Sequence, residues 1–408
     1  MRYHILIIAL TILSCKEKSD KNISYNRDQL NIEVSSKILV NSTPLSVEIN
    51  LDERKQNMKA SSIIDKHDIV KLQTTDDCLI GEISKVIIKG EKIFVFDSKI
   101  AKNLYCFDLR GKYLFKVGVL GEGPGEMDTP RDFDITDNHI LIIDRQCRVF
   151  TYSLSGKYQS VFRLPFLTTQ ICALNDTSIF YYTGNITDSF KFYLTQVNGS
   201  FVKSFCFPIQ SEFVGLYDIP QAFHKHEKEA LFVKFLCDTI FIIANNQVKP
   251  NYVINFQNEY PDNVFRNKEE LDKVYMDPDK YGKLFNMHLA ATPQDLFFLS
   301  SNRGINCHFI SKITGKHVFT KSINDDFLIG GLSPMFPVGS HSEYLIYPIN
   351  MSYMITNFKK VFKEFKKNGL EKDFLNKYSE LKALCDQSRE DDNPALLLAK
   401  INPKIYEE

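Results

Sequence analysis

Several groups of residues in this chain are of types that could do chemistry. His224-Lys225-His226-Glu227 offers two imidazoles and a nearby carboxylate, the donors of a metal site. The same residues sit in a charged stretch inside a long insertion, and they are read as a solvated loop. Arg131 and Asp132 follow Pro130 and lead into Phe133-Asp134-Ile135, while His288 and His341 stand just ahead of the apolar runs 296–300 and 344–347. If these positions begin strands around a shared channel, Arg131 could hold a carboxylate or sulfate by paired hydrogen bonds. The imidazoles could donate, accept or bind a metal. Arg131, Asp132, His288 and His341 are therefore the candidate ligand-binding residues. The alternative is a local Arg131–Asp132 ion pair and two ordinary turn or core histidines. No G-x-S-x-G, H-E-x-x-H or EF-hand spacing occurs, so no catalytic residue is assigned and neither metal nor cofactor is expected.

The elements that position these residues repeat along the chain. Ile93-Phe94-Val95-Phe96-Asp97 recurs as Ile140-Leu141-Ile142-Ile143-Asp144, with looser versions at 178–182, 239–243, 296–300 and 343–347. Phe107-Asp108-Leu109-Arg110-Gly111-Lys112-Tyr113 recurs as Tyr152-Ser153-Leu154-Ser155-Gly156-Lys157-Tyr158, and glycine-centred copies surround Gly199 and Gly315. Glycine between two apolar strands is what a hairpin turn needs. Six strand–turn–strand units of roughly 40–50 residues each match the blade of a propeller. The expected fold is all-β, a six-bladed β-propeller with a small C-terminal helical segment. A β-sandwich explains many short strands but not their repeated order. Blade strands are covered on both faces, so continuous apolar runs such as Ile240-Phe241-Ile242-Ile243-Ala244 need no membrane. Asp97 and Asp144, ending equivalent strands, are expected to cap turns. Tyr181-Tyr182 and Phe297-Phe298 are read as buried blade residues, not as stacking platforms.

Gly121-Glu122-Gly123-Pro124-Gly125-Glu126, followed by Pro130-Arg131-Asp132-Phe133, resembles the signature of six-bladed β-propeller lipoproteins of Bacteroides and relatives, a group similar to NHL-repeat propellers. The resemblance covers about residues 67–402 and includes Cys237-Asp238-Thr239-Ile240-Phe241 and Asp392-Asn393-Pro394-Ala395-Leu396-Leu397. It implies a surface or periplasmic propeller without an established activity, and it supplies no catalytic residues. By its own residues the glycine segment is a loop between blades. No Lys-Ser/Thr follows the glycines, which excludes a Walker phosphate loop.

The two ends carry other signals. A basic start, an apolar core at residues 5–13 and Ser14-Cys15 before a polar stretch resemble a bacterial lipoprotein signal, with acylation at Cys15. Acyl chains anchor by burying methylenes at about 0.8 kcal/mol each. The expected partners are the membrane, through that anchor, and a peptide, glycan or protein ligand. The expected place is the bacterial cell envelope, lipid-anchored, periplasmic or on the outer-membrane surface. The expected organisation is a signal at 1–14, a polar tether at 15–64, the propeller at 65–402 with a helical insertion at about 357–388, and a tail at 403–408. Within that insertion Phe358, Phe362, Phe365, Phe374, Tyr378 and Leu381 recur near helical spacing. Strands from both ends are expected to close one blade, with residues 67–72 as the partner of 395–399.

Composition sets the outer bounds. The 408 residues carry 50 Lys+Arg against 50 Asp+Glu, and this balance argues against a nucleic-acid partner. Hydrophobic content of 44% is in the globular range and excludes wholesale disorder. None of the 9 cysteines forms a C-x-x-C pair, so zinc-ribbon and thioredoxin-like readings lose their support. Most sit in apolar runs and are read as small buried hydrophobes.

Overall fold

The computed structural model describes residues 36–37, 43–123, 125–183, 192–206, 221–226, 228–233, 239–256, 269, 289–301, 305–329, 332 and 336–407. All of them belong to the unit spanning residues 32–408; the unit 1–31, which contains Cys15, lies outside the described residues. Six antiparallel sheets, each with a four-stranded core, form the blades of a β-propeller. Blade one runs Lys85–Lys89, Lys92–Asp97, Asn103–Asp108 and Tyr113–Val117, from the innermost strand outward. The innermost strands of the other five are Pro130–Ile135, Gln170–Asn175, Phe223–His226, Leu289–Ala291 and Gly339–His341.

The second strand of blade one shows why these sequences give blades. Successive side chains of a strand point to opposite faces. Phe94 and Phe96 pack with Phe133, Ile140 and Ile142 of blade two, whereas Ile93 and Val95 pack with Ile346 and Leu396 of blade six. Each such side chain contributes roughly 2 kcal/mol by leaving water. A strand buried on both faces has no polar face, hence the continuous apolar runs. The buried pairs Tyr181-Tyr182 and Phe297-Phe298 belong to equivalent layers of other blades.

The glycine turns join third to fourth strands. At Gly111 the backbone takes φ 81°, and a Cβ there would stand 2.0 Å from the Lys71 carbonyl oxygen, so only glycine fits. Blade four lacks this signal because Asn245 and Asn246, both at positive φ, make its turn instead. There the run Thr239–Ala244 is the third strand, and the second is Glu229–Val233. Asp97 caps its strand end as expected, accepting the N–H groups of Gly81, Glu82, Lys99 and Ile100; Asp144 accepts those of Gln146 and Arg148. The glycine-rich loop links blade one to blade two, and the Glu126 carboxylate folds back onto the Gly123 N–H at 2.8 Å. Pro124 lies outside the described residues.

Both ends of the described chain build blade six. Ala395–Ile401 lies between Tyr344–Ile349 and Ile64–Lys71. Buried Asn393 latches the junction: its Nδ2 donates to the carbonyls of Gln73 and Cys78, and its Oδ1 accepts the Ile80 N–H.

Two expected boundaries are corrected. Residues 45–64 are not tether. Leu45–Ile49 adds in parallel to the outer strand of blade four, Met58–Lys59 pairs with Ile323–Asn324, and Val47, Ile49, Ala60 and Ile63 are buried. Ser36–Lys37 likewise adds to blade three. Short apolar interruptions in a polar stretch suffice, because an outer strand needs one covered face only. Residues 403–407 are not a free tail either. Pro403–Tyr406 forms a 3-10 turn that buries Ile405 and Tyr406, and Tyr406 Oη donates to Asp295 at 2.8 Å.

The helical insertion begins at Met351, where the Asn350 side chain caps the N–H of Tyr353. It comprises Met351–Lys367, Glu371–Lys377 and Ser379–Asp386. Met354, Ile355, Phe358, Phe374 and Leu381 join the buried cluster that holds Phe297 and Phe309 of blade five and Tyr347 and Leu397 of blade six.

Candidate functional site

The inner strands define the candidate site. Phe133 faces Phe96 across the layer between blades one and two, at 5.4 Å between ring centroids. Alternation then turns Asp132 and Asp134 the other way, toward blade three. Asp132 Oδ2 accepts the Ile171 N–H at 3.0 Å, and Asp134 Oδ2 accepts the Ala173 N–H at 2.8 Å. The matching two-residue steps show neighbouring inner strands running in the same direction. The Oδ1 atoms accept the N–H groups of Phe133 and Ile135.

Two lysines complete the ladder. Lys85 of blade one places Nζ 2.9 Å from Asp132 and donates to the Phe133 carbonyl at 2.7 Å. Lys225 of blade four pairs with Asp134 and donates to the carbonyls of Ile135 and Ala173 at 2.6 and 2.9 Å. Burial works to lower the Lys85 pKa, but the carboxylates of Asp132 and Asp134 outweigh it and hold it above its ordinary value. Burial pushes the Asp132 carboxyl up, which opposes the sense expected of an ion pair. We take the pair as charged, because Asp132 receives two backbone N–H groups besides the ammonium.

His224, on the same strand as Lys225, ties blade four to blades five and six. It is buried, and its Nε2–H is shared between the Ala291 carbonyl at 2.8 Å and Ser340 Oγ at 2.9 Å. Burial pulls its pKa down to about 4, so the ring is neutral near pH 7. Along these ties and toward the ends of the inner strands lies a cavity of about 680 Å³, lined in part by Lys85, Asp134, His224 and Lys225 themselves. Its lining includes Lys89, Asn175, His226, Lys228, Ser340 and His341.

The sequence-derived candidates separate on this frame. Arg131 is exposed, is the second residue of its strand and is not part of the cavity lining. Asp132 is bound into the ladder. His341 ends its inner strand and lines the cavity, so Arg131 and His341 stand at opposite ends of strands that run alike. His288 and Cys15 lie outside the described residues. The solvated-loop reading of His224-Lys225-His226 is corrected: these residues form the inner strand of blade four, where Phe223 and His224 are both buried and Lys225 pairs with Asp134. Glu227 lies outside the described residues. Among the described residues no group of three His, Cys, Asp or Glu side chains is placed to hold a metal ion. Cys78, Cys106, Cys147, Cys172 and Cys307 are buried and free. Lys85, Asp134 and Lys225 escaped the sequence reading. Their only signal is charge inside or at the edge of apolar strand runs.

Fold and site together define a six-bladed β-propeller with a polar channel tied across its blades. The chain belongs to the family described as a domain of unknown function, DUF4934, whose match spans residues 46–400. A candidate exported protein from Bacteroides fragilis has a similar structure, with 21% identity, a TM-score of 0.67, and coverage of 88% of this chain and 100% of that one. BamB from Moraxella catarrhalis is more distant, at 10% identity and TM-score 0.37 over 61% of this chain and 66% of that one. Glutaminyl cyclase from Myxococcus xanthus matches at 9% identity and TM-score 0.34, over 64% of this chain and 94% of that one. Neither of these two bears on function. No curated protein matches the chain in sequence.

Proposed function

We propose that this protein is an exported, lipid-anchored propeller that binds a ligand in its central cavity without transforming it. The observation that carries this reading is the engagement of the inner-strand carboxylates. Asp132 and Asp134 each accept two backbone N–H groups and a lysine ammonium. Such groups hold blades together and are not poised for proton transfer or metal binding. The description of the similar Bacteroides fragilis chain as exported supports the location. The anchor at Cys15 rests on the apolar core, Ser14-Cys15 and polar stretch of the sequence.

The test is a thermal-shift screen of purified protein against neutral oligosaccharides, short peptides and small organic anions, with mass spectrometry of the recovered compound. At least one class should raise the melting temperature and be recovered unchanged, and His341→Trp, which fills the cavity, should abolish the shift. A ligand at 100 times its Kd adds about 2.7 kcal/mol of stability, which such a scan resolves. Recovery of a converted product, or no shift with any class, contradicts the binding reading.

A further inference from the structure

His226 and His341 come from the ends of the inner strands of blades four and six and line the same cavity. Neither imidazole has a hydrogen-bond partner among the described residues. Every other charged or titratable group of the cavity lining can be followed. Blade one supplies Lys85 and Lys89, blade two Asp134 and Asp137, and blade four His224, Lys225 and Lys228. Lys85 pairs with Asp132, Lys225 with Asp134 and Lys89 with Asp137, and His224 is neutral. Lys228 is left as the surplus charge, exposed and without a bonded partner among the described residues. The cavity thus combines one surplus positive charge with two unengaged imidazoles.

We propose that the cavity binds a small organic oxyanion, through a carboxylate, sulfate or phosphate group held between His226 and His341 with Lys228 alongside. This deepens the binding function proposed above and rests on it. Two imidazoles alone could also take a transition metal. Among the described residues of the lining the charge decides against a cation: four lysines stand against two carboxylates, Asp134 and Asp137, which are committed to Lys225 and Lys89. An anion gains twice here, from the existing positive charge and from protonating the imidazoles beside it. The cavity wall, and then the neighbouring His226, hold the His341 pKa below its ordinary value. An anion between the rings reverses that, so binding takes up protons and tightens as pH falls.

The experiment is calorimetric titration of the whole protein with sodium sulfate, inorganic phosphate and glucuronate, each at pH 5.5 and 7.5, with zinc chloride as a separate arm. Saturable one-site binding of at least one anion is expected, tightening toward pH 5.5 by up to about tenfold per pH unit for each proton taken up. The three anions distinguish an inorganic from an organic source. His226→Gln/His341→Gln should lose that pH dependence and most of the affinity, and Lys228→Gln should weaken binding at both pH values. Circular dichroism checks that each variant is folded, and Lys228→Gln, an exposed change, keeps the test available if the double variant is not. The proposal is overturned by absence of anion binding, by binding that ignores these substitutions, or by stoichiometric zinc binding that requires the two histidines. If the ligand screen finds only a neutral compound, the binding function stands and the oxyanion assignment alone fails.

Discussion

Replacing Asp134 by alanine should be among the most destabilising single changes in the ring. Its carboxylate is 2% exposed and serves the N–H groups of Ile135 and Ala173 and the Lys225 ammonium. Removing it strands a mostly buried ammonium, a loss of about 3–5 kcal/mol for a broken buried pair. Two unsatisfied N–H groups add about 1–3 kcal/mol each where water cannot reach them. Asp134→Asn keeps an acceptor and removes only the charge, so its loss should be smaller. Adding Lys225→Met to Asp134→Ala removes the stranded charge and should recover about 2 kcal/mol or more, because the ammonium no longer needs a counter-charge. The assay is urea denaturation followed by far-ultraviolet circular dichroism, since the chain has 0 Trp to serve as a fluorescence probe. A loss below about 1 kcal/mol for Asp134→Ala, or a double variant no more stable than the single, would refute the view that this ladder ties the blades.

Acid should weaken the fold through His224. Its folded pKa of about 4 lies below the ordinary 6.5, so the unfolded chain binds more protons between those values. Stability is complete above pH 6.5 and falls by about 3 kcal/mol as pH drops to 4, and His224→Gln should flatten melting temperature against pH in that window. Gly111→Ala should cost well over the 1–2 kcal/mol of a left-handed backbone, because the added Cβ meets the Lys71 carbonyl. Gly315→Ala, at φ 72° with open space around it, should cost only that backbone amount, and equal losses in urea melts would contradict the steric account.

Much of the ring was legible because its logic is local. The runs at 93–97 and 140–144 are buried on both faces, and the glycines at 111 and 156 take the backbone values that only such turns require. Blade four was read out of phase because paired asparagines replace glycine at its turn. The outer strands formed by Leu45–Ile49 and Met58–Lys59 were illegible: their partners lie some two hundred or more residues away, and short half-covered strands carry little pattern. The site divided in the same way. His341 and Asp132 were picked out as polar residues at inner strands. Which end each occupies depends on strand direction, and the lysine partners depend on contacts between blades, which no local spacing encodes.

The pairing of Ala395–Ile401 with Ile64–Lys71 bears on how the molecule comes into being. An exported chain reaches its folding compartment N-terminus first, so Ile64–Lys71 must wait for 395 − 71 = 324 further residues before its partner strand arrives. Until then blade one lacks one of its flanking layers, and Ile93 and Val95 have no Ile346 or Leu396 to cover them. The nascent ring is therefore an open arc with two sticky ends, and long-range pairing of this kind is slow to form. Asn393, arriving just ahead of the last strand with its side-chain bonds to Gln73, Cys78 and Ile80 and its backbone bond to Thr74, is placed to catch the waiting segment first and turn a search in three dimensions into the closing of a zip.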